Sequence, residues 1–433
     1  MLRQLPRLVW FVLLLLMGAK LALLLHLNPE LAWNPDEIRN GHIADNVRAG
    51  RGFVSYDAVR QQVRPDAFHA SFPVFVYVAW ENLGLPKHYW TLLAYAGIAF
   101  LYALGFLYVS RTLSWLGVST QVSWLGAVLF AIYPSVAYYI GGFFWYENLA
   151  MPLLVLVGYK LLRLYGGRAL SWPDAFLIAM SIAISCLFRS YLLAVYALWL
   201  GVLMLLCRRG ATRRRQDALR AGLLTLLLIS VGYLPVLRKN HAQFGAYILS
   251  TQAGFELLHG HNPVTQGRFM YDWDEPAAPF GHWVLTHIPQ LYALNQYQES
   301  QARAHLAIQW VREHPVDELR LIGRKLKLFF TPENYNVDTE HNFQWNPLTM
   351  LVHALFLLSL LAVAMRLCGL RFRGTDVLLL TPVAAILLLS LIFFVGYRWR
   401  YFAEPAMLMF PLIVGQRLHQ AVTKTQTKKD SHF

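Results

Sequence analysis

Long apolar runs alternate with shorter polar segments along most of the chain. About 20 mainly apolar residues are needed for a helix to cross the hydrocarbon core of a bilayer. Ten runs approach or reach that length: 8–27, 89–110, 121–140, 145–164, 174–188, 191–207, 221–237, 347–367, 377–395 and 402–414. The pattern therefore predicts an all-helical integral membrane protein with about ten transmembrane helices.

Two long polar stretches, 28–88 and 238–345, interrupt this pattern, whereas the other connections are short. Long loops in compact proteins tend to carry function. The chain is thereby divided into three parts. An N-terminal transmembrane module, 1–237, contains the first long loop, and the large loop, 238–345, follows it. The C-terminal part, 346–433, is made of helices and a basic tail. With ten spans, both long loops lie on the same side of the membrane.

Both loops are predicted to contain helices. In the first loop, apolar residues recur at roughly helical spacing from Ile38 to Val47, and Gly50 supplies a stop signal. In the second loop, the spacing of apolar residues predicts helices over 295–313 and 316–330. The last of these has an apolar stripe flanked by basic residues, so it is expected to lie on the bilayer surface or to pack against the transmembrane bundle.

Composition and charge support the membrane class. The chain is 57% hydrophobic and only 14% charged, with a mean hydropathy of +0.40, whereas soluble proteins carry about 25% charged residues. Its net charge is +14, and the positive excess falls in the short loops and the tail, including six arginines between 208 and 220. This positive-inside pattern predicts cytoplasmic termini and exterior long loops, without a nucleic-acid partner.

An adjacent carboxylate pair, Asp36 and Glu37, directly follows the first apolar run. An ionised carboxylate near hydrocarbon costs a few kcal/mol or more unless it meets water, a cation or another partner. Acids are also common in the first turn of a helix for dipole reasons alone. The pair is therefore a candidate for a functional site. The alternative is that it only stabilises the start of a helix.

Residues 33–53, WNPDEIRNGHIADNVRAGRGF, resemble the first exterior loop of the polytopic glycosyltransferases of the C-type superfold. The matching positions are Pro35, Asp36, Glu37, Ala44, Gly50, Gly52 and Phe53. These enzymes include the protein O-mannosyltransferases, the lipid A aminoarabinose transferases and bacterial relatives that act on lipopolysaccharide cores. Further matches follow in the same order: PDAFHASFPVF at 65–75, Tyr133 and Pro134 with Glu147, Arg189 after Phe188, STQAGFELLHGHNPVTQG at 250–267, His314 with Pro315, and YRWRYFAEP at 397–405. At Ala70 and Ser71 the chain departs from the family, which is richer in Pro and Gly there.

The resemblance implies an enzyme that moves a sugar from a polyprenyl-phosphate donor to an extracytoplasmic glycan, lipid or protein acceptor. It further implies a bacterial inner-membrane protein whose active site lies on the exterior, periplasmic side and requires no cofactor. Asp36 matches the family's catalytic aspartate, so we expect it to be the general base of an inverting single displacement. Glu37 is expected to cap or position Asp36.

The expected substrate-binding residues lie on the same exterior side. They are His69, Glu147, Arg189, Arg398 and Arg400. The lipid-phosphate leaving group gains negative charge as the glycosidic bond breaks, so arginines beside it stabilise the transition state. The alternative for Arg398 and Arg400 is interfacial anchoring. Arg189 needs a partner in space, either Glu147 or the lipid phosphate.

A divalent metal is a possible addition, since His42, His69, His259 and His261 could join Asp36 or Glu37. They lack the spacing of a known ligand motif, so no metal site is assigned. Residues 271–275, YDWDE, could contact an acceptor sugar or form a turn. Two other functions remain open: a transporter or lipid-linked sugar flippase, because buried arginines can line a path, and an inactive partner of another transferase. The two long loops on one side favour the enzyme.

Overall fold

The structure, a computed structural model, is dominated by helices, which confirms the predicted all-helical class. The described residues are 7–28, 30, 35–57, 59–69, 71–136, 146–207, 212–268, 277–331, 333–334, 344–345 and 347–430 of the 433-residue chain. They also form two short antiparallel two-stranded sheets, one from residues 54–57 and 62–65 and the other from residues 333–334 and 344–345.

The first half of the chain contains α1 (Arg7–Leu27), α2 (Pro35–Arg48), β1 (Val54–Asp57), β2 (Gln62–Pro65), α3 (Phe72–Asn82), α4 (Lys87–Trp115), α5 (Thr120–Ile132), α6 (Tyr146–Tyr165), α7 (Trp172–Phe188), α8 (Leu192–Leu206) and α9 (Thr212–Phe244). The second half contains α10 (Gln252–Gly260), α11 (Pro279–His287), α12 (Gln296–Glu313), α13 (Pro315–Phe330), β3 (Glu333–Asn334), β4 (Gln344–Trp345), α14 (Pro347–Ala364), α15 (Gly374–Ile392), α16 (Tyr397–Arg400) and α17 (Glu404–Asp430). A helix occupies each of the ten predicted apolar runs.

Six helices among the described residues are long and apolar enough to cross a membrane: α1, α4, α6, α9, α14 and α15. Three others, α5, α7 and α8, are equally apolar but only 13, 17 and 15 residues long. Apolar helices of this length indicate a membrane-embedded protein. The count of ten spans and the side on which each terminus lies stay predictions.

The apolar helices pack into one bundle with a continuous core. Within it, α4 contacts α1, α5 and α6, α7 contacts α6 and α9, and α15 contacts α8 and α17. Small residues let the backbones of two helices approach closely. Lipid tails are as apolar as hydrophobic side chains, so close packing of this kind is what favours helix association in a bilayer. Gly158 is one example, because a Cβ atom there would lie 2.8 Å from the Trp199 ring.

The first long loop begins with the predicted helix. Its helix α2 ends at Arg48, and Gly50 adopts a left-handed φ of +74°, as the stop signal predicts. The antiparallel hairpin β1–β2, in which Ser55 faces Arg64, was not predicted. Four-residue strands give too little alternation to stand out from a polar loop, so only the tertiary contacts reveal them.

The large loop contains both predicted helices, α12 and α13, with boundaries within one residue of those expected. Asn295 caps α12 in a capping box with Gln298. Two further helices, α10 and α11, were not predicted. Two glycines seat α10, because a Cβ atom at Gly254 would lie 1.9 Å from the Ser300 carbonyl oxygen and one at Gly260 would lie 1.6 Å from that of Phe393. Backbone contact this close fixes α10 against α12 and the end of α15.

Candidate functional site: a carboxylate–arginine cluster

Four charged side chains from distant parts of the sequence meet at one end of the helix bundle. Asp36 lies in the first turn of α2, Glu147 in the first turn of α6, Arg189 at the C-cap of α7 and Arg398 in the short helix α16. We call these four residues the carboxylate–arginine cluster. All four are among the predicted site residues, and the structure brings them into direct contact.

Each guanidinium in the cluster bridges both carboxylates. Arg398 donates from Nη2 to Asp36 Oδ2 at 3.0 Å and from Nε to Glu147 Oε1 at 3.1 Å. Arg189 donates from Nη2 to the same Asp36 oxygen at 3.2 Å and to Glu147 Oε2 at 3.0 Å. The four charges sum to zero, which lets them lie close to hydrocarbon.

Local structure explains how each side chain reaches the cluster. Asp36 and Glu147 occupy helix N-terminal turns, where the helix dipole favours a carboxylate. Arg189 leaves α7 with an extended backbone, φ −137° and ψ 92°, so its side chain turns back across the end of the bundle. Its guanidinium carbon then lies 5.1 Å from the centre of the Tyr146 ring, within the range of a cation–π contact.

Exposure increases across the cluster. The side chain of Glu147 is 2% exposed and that of Arg189 10%, whereas Asp36 is 17% and Arg398 24% exposed. Glu147 and Arg189 therefore form the closed side of the cluster. Asp36 and Arg398 form its more exposed side.

Asp36 is an ionised carboxylate at neutral pH. Burial alone would raise its pKa, but Arg398, His69 and Arg189 together outweigh burial and hold the pKa of this carboxyl well below its usual value. The group can therefore accept a hydrogen bond or a proton but has none to give. While both arginines hold it, it is a weak base.

Glu37 lies behind Asp36, on the face of α2 that packs into the protein. Its side chain is buried and hydrogen-bonds the Tyr146 hydroxyl, and burial raises its pKa well above the usual value. Its contact with Tyr146 ties α2 to α6. Glu37 therefore lies on the buried side of α2, and its positioning role stays a prediction.

His69 joins Asp36 to a line of polar side chains. Its Nε2 lies 3.5 Å from Asp36 Oδ1, and its Nδ1 lies 3.3 Å from Gln252 Oε1. Gln252 in turn donates from Nε2 to Glu256 Oε1. His69 is thus placed beside the expected base, and α10 supplies the next two members of the line.

Sequence reasoning missed Gln252 and Glu256. The other oxygen of Glu256, Oε2, is buried without a hydrogen-bond partner in the described part of the chain, and burial raises the pKa of this carboxyl to about 7. Both residues lie inside the 250–267 segment that carried the family resemblance. An acid in an otherwise apolar helical stretch was the signal available there.

Arg400, two residues after Arg398, is directed elsewhere. It donates from Nε to Glu404 Oε1 at 3.2 Å and from Nη1 to the Thr331 carbonyl at 2.6 Å, and its side chain is only 2% exposed. These bonds connect the end of α13 to the start of α17. The expected contact of Arg400 with substrate is therefore not supported by its placement, and we do not include it in the site.

The four histidines considered for a metal site are not brought together. His42 lines a separate pocket, His259 packs edge-on against Phe280, and His261 lies between Glu318 at 2.9 Å and the Ile392 carbonyl at 2.6 Å. Across the described ranges, no group of three or more His, Cys, Asp or Glu side chains is arranged to hold a metal ion. Residues 271–275 lie outside the described residues.

Comparison with known proteins adds no identity. No model of a known protein family matches the chain, and no curated protein matches it. The resemblance to C-type glycosyltransferases therefore rests on the motifs quoted above and stays a prediction. The class that the fold and sequence support is a helical membrane protein with a charged cluster at one end of its bundle.

Proposed function

We propose that the protein is a glycosyltransferase that moves a sugar from a polyprenyl-phosphate donor to a hydroxyl group of an extracytoplasmic acceptor, with inversion at the anomeric carbon. We place the reaction at the exterior face of a bacterial inner membrane, following the charge distribution and the family resemblance. The observation that carries the proposal is the contact of Asp36 with Arg189 and Arg398 at the end of the bundle. A base and two phosphate-binding groups are thereby adjacent.

The arginines bind the donor phosphate. A guanidinium presents a planar fork of N–H donors that suits phosphate oxygens. The positive charges of Arg189 and Arg398 are already neutralised by Asp36 and Glu147. The phosphate therefore has to displace one of these carboxylates. Arg398, the most exposed member of the cluster, exchanges Asp36 for phosphate, while the nearly buried Glu147 keeps Arg189 in place.

This exchange also activates the base. The positive charge of Arg398 is one of the causes that depress the pKa of Asp36, so the pKa rises toward its usual value when Arg398 turns to the phosphate. Asp36 then becomes a better proton acceptor only when donor is bound. Before the donor binds, Asp36 is too weak a base to take a proton from water, which limits hydrolysis of the donor.

The chemical step is a single displacement. Asp36 takes the proton of the acceptor hydroxyl, whose oxygen forms a bond to the anomeric carbon. The bond from that carbon to the phosphate oxygen breaks, and polyprenyl phosphate leaves with the electron pair. The arginines stabilise the charge that grows on this oxygen, which makes them more valuable in the transition state than in the ground state.

His69 and Gln252 position the base. A carboxylate that loses one arginine partner needs another contact to hold its orientation, and His69 Nε2 is already 3.5 Å from Asp36 Oδ1. Gln252 fixes the other ring nitrogen of His69 from α10. The large loop thus contributes to the site through α10, although the base itself belongs to the first loop.

The test is a transfer assay with purified full-length protein in lipid nanodiscs. A radiolabelled polyprenyl-phosphate sugar is incubated with extracted envelope glycolipids and glycans, and the label is expected in a covalent product only when the protein is present. Sealed proteoliposomes separate the competing class, since a flippase moves the intact donor across the bilayer without forming product. Movement without transfer would contradict the proposal and support the flippase.

A further inference from the structure

Helix α13 of the large loop turns two charged side chains toward the protein and two apolar ones away from it. Lys325 is completely buried and Glu318 is 7% exposed, whereas Val316 and Leu319 are 59% and 68% exposed. A buried ammonium group is costly unless it finds hydrogen-bonding or charged partners. This orientation of α13 therefore indicates that Lys325 has specific partners inside the protein.

The partners of Lys325 lie at the C-terminal end of α15. Its Nζ donates to the Leu391 carbonyl at 2.9 Å and lies 3.3 Å from His261 Nε2. The same His261 nitrogen lies 2.6 Å from the Ile392 carbonyl oxygen, and Nδ1 of that ring lies 2.9 Å from Glu318 Oε2. Leu391 and Ile392 are the last two residues of α15, and carbonyls in a last turn have no partner within the helix. Two side chains of the large loop supply that partner here.

Electrostatics favours this arrangement. The C-terminus of a helix carries a partial negative charge, which attracts a cation to its last turn. Burial lowers the pKa of Lys325 to about 8, while the charge of Glu318 opposes the shift, so the ammonium group is mainly protonated at neutral pH. The contact between Lys325 and α15 is therefore a charged hydrogen bond, which is the stronger kind.

The chain that leaves α15 leads directly to Arg398. Four residues, 393–396, connect α15 to α16, and Arg398 is the second residue of α16. The large loop also contacts this connection near its end, where the Val395 N–H donates to the Gly267 carbonyl at 2.9 Å. With Lys325 at its start and Gly267 near its end, the connection is held by the large loop, which thereby sets the position from which α16 begins.

The position of Arg398 matters because its guanidinium has to meet two carboxylates at once. It reaches Asp36 at 3.0 Å and Glu147 at 3.1 Å. A displacement of about 1 Å at such a site can reduce a rate about 10²-fold, even when its cause is remote from the chemistry. A residue that fixes the connection 393–396 therefore affects the carboxylate–arginine cluster indirectly.

We propose that Lys325 is a positioning residue for Arg398 and that it acts by holding the end of α15 from which the connection starts. Through Lys325, the large loop keeps a residue of the C-terminal part of the chain in contact with the acid of the first loop. The effect on catalysis rests on the proposed function, whereas the effect on residues 393–400 does not.

The first test measures amide hydrogen exchange in residues 393–400 of the purified full-length protein in lipid nanodiscs. In Lys325→Met the Leu391 carbonyl loses its charged donor, so exchange of these amides is expected to become about tenfold faster. Amides of α7, which packs against α6 and α9 in the core of the bundle, are expected to exchange as in the parent. A contact that supported only global stability would speed exchange in α7 as well.

Lys327→Met is the matched control, because it removes the same charge from an exposed position on the same helix. It is expected to leave exchange unchanged in both regions. If Lys325→Met does not fold, as judged by its melting temperature, Lys325→Gln replaces it. The amide keeps a neutral donor, so the expected increase in exchange of 393–400 is then about threefold.

The second test asks whether Lys325 acts through Arg398, using rates of sugar transfer. Lys325→Met is expected to lower kcat/KM for the donor by about tenfold in the parent but by less than about threefold in the Arg398→Lys background, because the contact it serves is already lost there. Two independent effects would multiply in the double variant. Lys327→Met should leave kcat/KM unchanged in either background.

Three results would overturn the proposal. They are parent-like exchange of 393–400 in a folded Lys325→Met protein, faster exchange throughout the chain, and a loss of transfer that is absent or is the same in both backgrounds. A parent that transfers no sugar would contradict the proposed function alone, because the exchange measurement still decides whether Lys325 holds residues 393–400.

Discussion

Two ion-pair sites at opposite ends of the bundle use the same chemistry in different ways. At one end, Arg417 donates to both oxygens of Asp376, at 2.7 and 2.8 Å, and that carboxylate also accepts the Arg373 backbone N–H. At the other end, Asp36 and Glu147 share Arg189 and Arg398 over 3.0 to 3.4 Å. The first pair is bidentate and almost fully buried, whereas the second is shared and partly exposed.

The difference shows which charged groups can exchange partners. Asp376 has a bidentate partner and a backbone donor and is 1% exposed, so it links α15 to α17. Asp36 receives single bonds from two arginines that also bind Glu147, so each bond can be given up without stranding a charge. A pair of the first kind stabilises the fold, and a group of the second kind can bind an anion.

The largest expected effect is on the carboxylate–arginine cluster, the shared and partly exposed site. Asp36→Asn should reduce sugar transfer by about 10² to 10⁴-fold, because the amide cannot accept the acceptor proton. Product is measured with the labelled donor, and the melting temperature shows that the variant is folded. A folded variant that retains turnover within about tenfold of the parent would mean that Asp36 is not the base.

A mutation in the buried pair of Arg417 and Asp376 should lower the stability of the protein rather than its activity. Asp376→Asn leaves the nearly buried Arg417 without a counter-charge, which is expected to lower the free energy of unfolding by about 3 kcal/mol. Thermal inactivation in nanodiscs measures the loss. Transfer per folded molecule should stay within about twofold of the parent, and a larger decrease would mean that the two ends of the bundle are coupled.

The neighbours Arg398 and Arg400 sharpen the comparison. Arg398→Lys keeps the charge but loses the fork that joins two carboxylates and receives phosphate, so kcat should fall by about tenfold and the KM for donor should rise. Arg400→Lys is the matched control, expected to lower the melting temperature because its partners are Glu404 and the Thr331 carbonyl. Equal kinetic losses in the two folded variants would contradict the distinction drawn between them.

The smallest expected effect concerns Glu256. Burial raises its pKa from 4.5 to about 7 in the folded protein, so the folded state holds one more proton than the unfolded state between these values. Its contribution to stability is therefore favourable at low pH and is lost as pH rises through about 7. Glu256→Gln should flatten the fall in melting temperature between pH 5 and pH 8.

Glu313→Gln is the control for that experiment, since Glu313 lies at the exposed end of α12 and accepts a hydrogen bond from Gln309 of the same helix. It should leave the pH dependence unchanged. If Glu256→Gln also leaves the dependence unchanged, another group titrates in this range.

Much of the architecture could be predicted because its causes are local. Apolar runs mark helices wherever they occur, and the caps at Asn295 and Gly50 act on neighbouring residues alone. The hairpin β1–β2 and the helices α10 and α11 escaped prediction for the opposite reason. Their sequences are short and mixed, so contacts with α2 and α12 decide their conformation.

Candidate residues could be predicted individually, but their grouping could not. Polar residues at the ends of apolar runs were visible as Asp36, Glu147, Arg189 and Arg398, and the structure brings them together. Arg400 looked equivalent to Arg398 in the sequence. Helical geometry turns residues two apart to different faces, and only the surrounding helices determine which face meets the cluster.

The sequence by itself determined the membrane class, the approximate positions of the helices and the concentration of polar residues in two long connecting segments. These properties follow from hydrophobicity and chain length, which each segment carries without reference to the others. The tertiary structure decided which carboxylate meets which arginine, and that α10 extends the line from His69 to Glu256. Pairings such as those of Asp36 with Arg189 and Arg398 depend on the directions of side chains more than a hundred residues apart, and no local pattern encodes them.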